Sequence, residues 1–353
     1  MQEKHLETLE FPKILNQLAR HTSFSAAEEL AFTLRPSTDL ETIDLSQRET
    51  TEACRLLDTQ GQISMGGIHD LRPLVNSARK GVILPPEELL DVRDTLSRGR
   101  SLRRTLGRLE REFPILAGIA QHIEECAHVV AEIRRCVNDR AEIVDDASPS
   151  LARIRQELSI AHRRLMDRLR RIVSSPEYAV YLQEPIVTQR HGRYVVPLKA
   201  DFKGRIPGLI HDESNSGATV FIEPLVTVEL NNAVRELQLE EQREVNRILG
   251  ELSTLVADEG DFIVRTVEVL ARLDFAFAKA RYSAAVRGVQ PRLIGWVENK
   301  PYPNQPAGEG SRTPLTHPGS TIRLKRARHP LLRADEVVPI DVHLSPEDGF
   351  SVI

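Results

Sequence analysis

The sequence is poor in the features that mark secreted, disulfide-stabilised or membrane-embedded proteins. Only three cysteines occur in 353 residues, and their scattered positions form no disulfide framework, which favours a reducing compartment and predicts a cytoplasmic protein. The polar N-terminal stretch lacks the apolar segment of a signal peptide. No apolar run approaches the roughly 18 residues of a membrane-spanning helix, so no membrane partner is predicted.

The sequence also lacks an excess of positive charge. Its net charge of −4 excludes a protein that binds nucleic acid with its whole surface, because such proteins are normally basic. Any nucleic-acid-binding role must therefore depend on a local patch. Apolar residues make up 41% of the chain and charged residues 28%, as in ordinary folded proteins, and the length predicts more than one compact unit.

No metal site is predicted. His122, Cys126, His128 and Cys136 lie close together in the sequence, but their spacing is not one that holds structural zinc. They are interpreted as ordinary residues of a helical stretch.

Residues 1–148 are predicted to form a compact helical core. Helix-start signals recur along this stretch, among them Ser25-x-x-Glu28 and Thr38-x-x-Glu41, which have the spacing of a capping box. In a capping box, each of the two side chains satisfies a backbone amide that the first helical turn leaves unpaired.

Two long helices are predicted after this core. Over 149–177, apolar residues recur at steps of three and four, which is typical of a helix that packs along one partner. A second helix is predicted over 227–288, with Gly260 as a weak point. Seven arginines against two acids give 151–173 a charge of +5, and eight acids against three arginines give 229–259 a charge of −5. We therefore expect antiparallel lever helices whose opposite charges pair.

Between the two helices, over 178–226, the pattern changes to that of a small β-module. Stretches at 185–188, 193–198 and 218–222 are short, rich in β-branched residues and bounded by turn-forming residues. The fold class is therefore mainly α with an inserted β-module. Phe221 is interpreted as a core residue of this module.

The last 65 residues have a different composition. Five prolines and three glycines within 301–320 predict a linker over 289–320. Strand-like stretches at 321–324 and 350–353 predict that 321–353 begins another domain.

Several of these stretches resemble the second MutS subfamily, the branch that lacks mismatch-reading domains. The sequences at 190–197 and 211–224 resemble its clamp, and Asn231-Asn232 with the acidic run that follows resembles its lever helix. Residues 327–332 and 337–341 resemble the opening of a MutS-type ATPase domain. The resemblance implies a helical MutS-type core, long antiparallel lever helices, a small inserted β clamp and the first strands of a truncated ATPase domain.

The resemblance also implies the chemistry of the longer family proteins. They use ATP and Mg²⁺ through a G-x-x-x-x-G-K phosphate loop, and no such motif occurs in this sequence. The family's Smr-type nuclease module is missing as well. We therefore expect the chain to end just before the phosphate loop and to hold no ATP productively by itself. No cofactor and no catalytic residue are assigned to it.

Basic and hydroxyl side chains of the module are the candidate phosphate contacts, because such contacts need Lys or Arg on one face. Two interpretations without a binding role remain open. The basic residues form a solvated surface, and the hydroxyls form hydrogen bonds within turns. The nucleic-acid-binding candidates are Arg190, Arg193, Lys199, Lys203, Arg205, Ser214, Ser216 and Thr219. The resemblance adds weaker nucleotide-adjacent candidates, which are His329, Val337, Val338 and Pro339.

Two functional hypotheses follow. In the first, the chain is the nucleic-acid-engaging part of a homodimeric, ATP-dependent protein that binds branched DNA and suppresses recombination, or binds ribosomal RNA and rescues collided ribosomes. In the second, it is a structural or dimerisation module that contacts protein only. The sequence leaves the choice between DNA and ribosome open, because phosphate contacts do not distinguish them.

Overall fold

The computed structural model describes residues 3–61, 63, 65–291, 322–333 and 335–344. The fold is mainly α, as predicted. Within the described residues, no helix is long and apolar enough to cross a membrane. Residues 292–320 of the predicted linker and the predicted strand at 350–353 lie outside the described residues.

The described chain contains twelve helices and six strands. The helices are α1 (Glu3–Thr8), α2 (Phe11–Ala19), α3 (Ser25–Thr33), α4 (Leu40–Gln60), α5 (Arg72–Arg79), α6 (Pro86–Arg108), α7 (Pro114–Ala120), α8 (Ala127–Cys136), α9 (Pro149–Val173), α10 (Pro176–Ala179), α11 (Val228–Asp258) and α12 (Gly260–Val286). The strands are β1 (Thr188–Arg190), β2 (Arg193–Lys199), β3 (Gly208–Glu213), β4 (Thr219–Pro224), β5 (Ile322–Ala327) and β6 (Ile340–Leu344).

The chain divides into two compact units. The first combines Met1–Asp70, Thr95–Glu125 and Val264–Ile353, and the second combines Leu71–Asp94 and Cys126–Ile263. The first unit is helical apart from β5 and β6, which form a two-stranded antiparallel ribbon. The second unit contains the long helix pair and the β-module.

Helix caps in the first unit differ from the predicted capping boxes. The side chain that caps α4 belongs to Asp39, which accepts a hydrogen bond from the amide of Thr42 at 3.1 Å, and not to Thr38. The capping position of α3 is occupied by Phe24, and Ser25 is already helical. An aspartate caps at least as well as a threonine does, so Asp39 takes the position that the sequence analysis assigned to Thr38.

In the second unit, α9 and α11 run antiparallel, as predicted. The Ser148 hydroxyl, which caps α9, donates to Glu244 at 2.6 Å, and Arg155 donates to Glu241 at 2.7 Å. Further along α9, Leu165 shares a core with Val234. Positions along α11 therefore decrease as those along α9 increase, which defines an antiparallel pair.

The second long helix breaks where the sequence predicts a weak point. Helix α11 ends at Asp258 and α12 begins at Gly260. A Cβ atom at Gly260 would lie 2.7 Å from Cγ1 of Val75 in α5, so only glycine fits this close approach.

The β-module is a four-stranded antiparallel sheet with strand order β1-β2-β4-β3. Of the three predicted strands, those at 193–198 and 218–222 match β2 and β4, whereas the one at 185–188 is largely wrong, because β1 shares only Thr188 with it. The structure has a fourth strand, β3, which lies at the edge and is interrupted by a bulge between Ile210 and Asp212. One face of the sheet packs against α9 and α11. The buried residues of this shared core are Leu165, Leu169, Val173, Leu182, Val196, Leu198, Ile206, Val220, Ile222 and Val234.

Candidate nucleic-acid interface

The other face of the module carries most of its polar chemistry. Because successive side chains of a strand point to opposite faces, residues that alternate with the core positions Val196 and Leu198 share the outer face. The strand register pairs Lys199 with Thr219 and places Phe221 two residues further along β4. The outer face therefore contains Arg193, Lys199, Thr219, Phe221 and Glu223.

A buried carboxylate organises this outer face. Glu223 is 0% exposed, and its carboxylate accepts hydrogen bonds from Arg193 Nη1 at 3.1 Å and from His211 Nε2 at 2.5 Å. A buried charge requires such partners, because desolvation without them costs several kcal/mol. Arg193, a predicted phosphate contact, thus lies against Glu223 and does not extend freely into solvent.

Arg190 is also engaged within the module. Its Nε lies 3.1 Å from Oδ2 of Asp212, and its guanidinium carbon lies 4.1 Å from the ring centroid of Phe221. Phe221 is therefore half-buried on the outer face beneath a guanidinium, and the interpretation that it belongs to the module's core is wrong. Register explains the difference, since Val220 and Ile222 occupy the inward positions of β4.

The remaining basic candidates lie at the end of β2 and in the loop after it. Lys199 donates to the carbonyl of Val180 at 3.1 Å. Lys203 and Arg205 are exposed, and neither forms an ion pair with any described residue. Gly204 between them has φ +89°, a conformation that glycine adopts without strain. Of the five basic residues predicted to contact phosphate, Lys203 and Arg205 are therefore the two that are exposed and have no ion-pair partner among the described residues.

The hydroxyl candidates form the β3–β4 turn. The Ser214 hydroxyl accepts from the amide of Thr219 at 3.0 Å, and the Ser214 amide donates to the Thr219 carbonyl at 2.8 Å. Gly217 in the same turn has φ +71°. Ser216 is exposed, whereas Ser214 and Thr219 are half-buried. The hydrogen bonds of the turn therefore explain the presence of Ser214, whose hydroxyl oxygen already accepts a hydrogen bond.

The weaker nucleotide-adjacent candidates lie between β5 and β6. His329 accepts from the amide of Leu331 at 3.3 Å through Nδ1, and Val337 donates to the carbonyl of Arg333 at 2.9 Å. Val338 is 75% exposed. Pro339 directly precedes β6. Within the described part of the chain, no group of three or more His, Cys, Asp or Glu residues could hold a metal ion.

The predicted pairing between the basic and acidic lever helices is largely wrong. Within the described residues, Arg155 is the one arginine of α9 that forms an ion pair with α11. Arg153 pairs with Glu157 and Arg170 with Asp167, both inside α9. The other four arginines of the helix are exposed and form no ion pair with any described residue; they are Arg163, Arg164, Arg168 and Arg171. Helical periodicity could have indicated this for Arg163, Arg164 and Arg171, which lie about 100° or more around the helix from Leu165.

Two long antiparallel helices that share a core with a small β-sheet define an arm-and-clamp protein. No protein-family model matches the chain. Proteins named Endonuclease MutS2 are similar to it: that of Symbiobacterium thermophilum is 42% identical over 98% of this chain, that of Thermomicrobium roseum 40% over 100%, and that of Pelotomaculum thermopropionicum 39% over 100%.

This similarity over almost the whole chain confirms the resemblance to the second MutS subfamily that its motifs predict. The chain spans about two fifths of the length of these relatives, since it covers 40% to 43% of each.

Proposed function

We propose that the chain is the core, lever and clamp portion of an ATP-dependent protein of the MutS2 type, and that its β-module contacts the phosphate backbone of a nucleic acid. The observation that carries this proposal is the pair of exposed loop cations, Lys203 and Arg205, which no acidic side chain of the described chain neutralises. Phosphates are the natural counter-charge for such residues, and contacts of this kind are independent of base sequence.

The target is branched DNA, or ribosomal RNA within a collided ribosome. The activity belongs to a longer, homodimeric protein that takes ATP and Mg²⁺ through parts that this sequence does not contain. These statements rest on the family resemblance and on the name Endonuclease that the relatives have. A cytoplasmic location agrees with both targets.

A pair of substitutions tests the clamp contact. Lys203→Gln with Arg205→Gln should reduce the slope of log K against log salt by about 2, because each lost phosphate contact reduces it by about 1. Binding of a four-way DNA junction and of ribosomes would be measured by fluorescence anisotropy and co-sedimentation across a salt series. The matched control is Lys80→Gln with Arg140→Gln, which removes the same charge from exposed positions outside the module.

The control should keep the wild-type slope and affinity. An unchanged slope for the loop variant, in protein that retains its circular dichroism spectrum, would contradict the role of this loop. If the loop variant and the control lose the same amount of affinity and salt slope, the effect comes from net charge alone.

A second candidate function, dimerisation through the module, is favoured by exposed aliphatic side chains near the β3 edge. Leu209, Leu225 and Val226 are 48%, 56% and 57% exposed. Exposed apolar groups that lie together mark interaction sites, and the amide of Leu225 donates to the carbonyl of Pro207, two residues before Leu209. Leu209→Ser with Val226→Ser should lower the weight-average mass in sedimentation equilibrium if two copies meet here. A mass that does not change between variant and wild type would argue against this function.

A further inference from the structure

Helix α9 presents a line of arginines beside its buried seam. Arg164, Arg168 and Arg171, which we name the arginine stripe, are all exposed. Their spacing of four and three residues places them within an arc of roughly 60° and over about 10 Å of helix length, since the helix turns about 100° and rises 1.5 Å per residue. The three guanidinium groups therefore act on one side of the helix.

The charge of the stripe is not neutralised within the described residues. Asp167, the acid closest in sequence, lies 3.7 Å from Arg170. On α11, Glu241 binds Arg155, and Glu244 binds Ser148 and Arg247, all toward the opposite end of α9. Despite the opposite net charges of the two helices, the stripe forms no ion pair with α11.

Helix stability does not account for the stripe. A cation in the last turn interacts favourably with the helix dipole, which explains Arg171 near the end at Val173. The dipole effect is confined to the terminal turn, so Arg164 and Arg168 gain nothing from it. Like charges spaced by three or four residues repel each other, and no acid of the described chain lies within ion-pair distance of the three guanidinium groups.

The stripe is part of the same packed body as the β-module. Leu165 and Leu169, which alternate with the stripe residues along α9, are 0% exposed and share a core with Val196 and Ile222 of the sheet. Lever and module therefore hold the stripe and the loop cations in a fixed relation to each other. A rigid body with two cationic surfaces can engage one polyanion at two places, and the second contact then forms at a high effective concentration.

We propose that the arginine stripe of α9 is a second phosphate-binding surface, which holds the phosphodiester backbone of the nucleic acid that the β-module engages. This inference rests on the proposed function. Guanidinium groups bind phosphate oxygens through charge-assisted hydrogen bonds, so the stripe contributes affinity and orientation without reading sequence.

The test changes all three residues in the full chain, as Arg164→Gln with Arg168→Gln and Arg171→Gln. Binding of a four-way DNA junction and of an RNA duplex of equal length would be followed by fluorescence anisotropy over a salt series. We expect the salt slope to fall by 2 to 3, because each lost phosphate contact removes about 0.9 from it on a duplex. A loss on the junction alone assigns DNA as the source of the phosphates, and a loss on the RNA alone assigns RNA.

Two further variants separate a phosphate contact from other effects. The matched control replaces Arg98, Arg104 and Arg108 of α6 with Gln; these residues are exposed, form no ion pair among the described residues, and carry the same total charge. It should keep the wild-type slope. Replacing the stripe with three lysines should restore most of the slope, because Lys binds phosphate as a point charge.

The outcomes distinguish the stripe from the loop. A wild-type slope for the stripe variant, together with a reduced slope for the Lys203 and Arg205 variant, would overturn the stripe and leave the clamp contact intact. If the salt slope falls for the stripe variant and is unchanged for the loop variant, the stripe binds phosphate and the proposed clamp contact is wrong. If the salt slope falls equally for the stripe variant and the α6 control, the proposal that the stripe binds phosphate is wrong. It is also wrong if the wild-type protein binds neither probe.

Discussion

The two ends of the α9–α11 pair both bury apolar residues, but they differ in the charged contacts between the helices. At the end where α9 begins, hydrogen-bonded and charged groups connect the helices: Ser148 and Arg155 reach Glu244 and Glu241. At the end beside the β-module, apolar side chains such as Leu169 fill a closed core, and Arg164, Arg168 and Arg171 form no ion pair with any described residue. Charged and hydrogen-bonded groups thus connect the two helices at one end, whereas at the other the arginine stripe has no ion-pair partner among the described residues.

The largest effect expected at the module end comes from its core. Leu169 is 0% exposed between α9 and the sheet. Leu169→Ala should lower the free energy of unfolding by about 3 kcal/mol, because it removes buried methyl groups and leaves a cavity. Urea denaturation followed by circular dichroism measures this, with the exposed Ile160→Ala as control, for which a change within about 0.5 kcal/mol is expected. A loss below about 1 kcal/mol for Leu169→Ala would mean that the apolar core does not hold this end together.

A smaller loss is expected on the outer face of the module. Arg193→Ala should cost about 2 kcal/mol, because it removes one of the partners of the buried Glu223. Lys203→Ala should stay within about 0.5 kcal/mol, since Lys203 is exposed. Adding Glu223→Gln to Arg193→Ala removes the buried charge, so the double variant should recover part of the loss in the same urea experiment. If the double variant is less stable than Arg193→Ala alone, the pair does not act as described.

Much of this fold follows from local pattern in the sequence. The two long helices are evident because the apolar seam repeats over many turns, and the break at Gly260 is evident because glycine is a poor helix residue. Strand β3 could not be predicted in the same way. Leu209 and Ile210 are exposed and a bulge interrupts the alternation, so the edge strand lacks the half-buried pattern of a typical strand.

The sequence could predict which types of residue form the candidate site, but not which of their side chains are already paired. It identifies a cluster of basic residues in the module. Arg193 is committed to Glu223 by a contact 30 residues away in the chain, and Arg190 to Asp212 across the sheet. On α9 the sequence analysis made the opposite error. It predicted ion pairs between the two helices because their net charges have opposite signs. Net charge carries no directional information, so it could not reveal that Arg164 and Arg168 form no ion pair with the described residues of the acidic helix.

At the opposite end of the pair, the expected effect depends on pH. Hydrogen bonds from Arg247 and Ser148 lower the pKa of Glu244 from its ordinary value of 4.5 to about 2. A lowered pKa means that the ionised carboxylate stabilises the folded state at neutral pH, and that this contribution disappears as pH falls from about 4.5 toward 2. Glu244→Gln should therefore cost about 1 kcal/mol at pH 7 and progressively less at lower pH. Urea titrations at pH 7, 4 and 2.5 measure this, and a difference that is constant across pH would contradict the coupling.

The smallest effect on stability is expected for the arginine stripe, and it sharpens the contrast between the two ends most directly. Replacing Arg164, Arg168 and Arg171 with Gln removes three exposed charges that form no ion pair among the described residues, so no folded-state contact is lost. Glutamine is about as good a helix former as arginine, and removing like charges at i,i+4 and i,i+3 relieves repulsion of a few tenths of a kcal/mol for each pair. The unfolding free energy should therefore stay within about 0.5 kcal/mol of wild type or rise slightly, most visibly at low salt. Arg155→Gln, by contrast, breaks the hydrogen bonds to Glu241 and Asp145 and should cost about 1 kcal/mol. Urea denaturation at low and high salt compares the two variants on one helix, and a stripe variant that loses as much as Arg155→Gln would show that these arginines already have a structural partner.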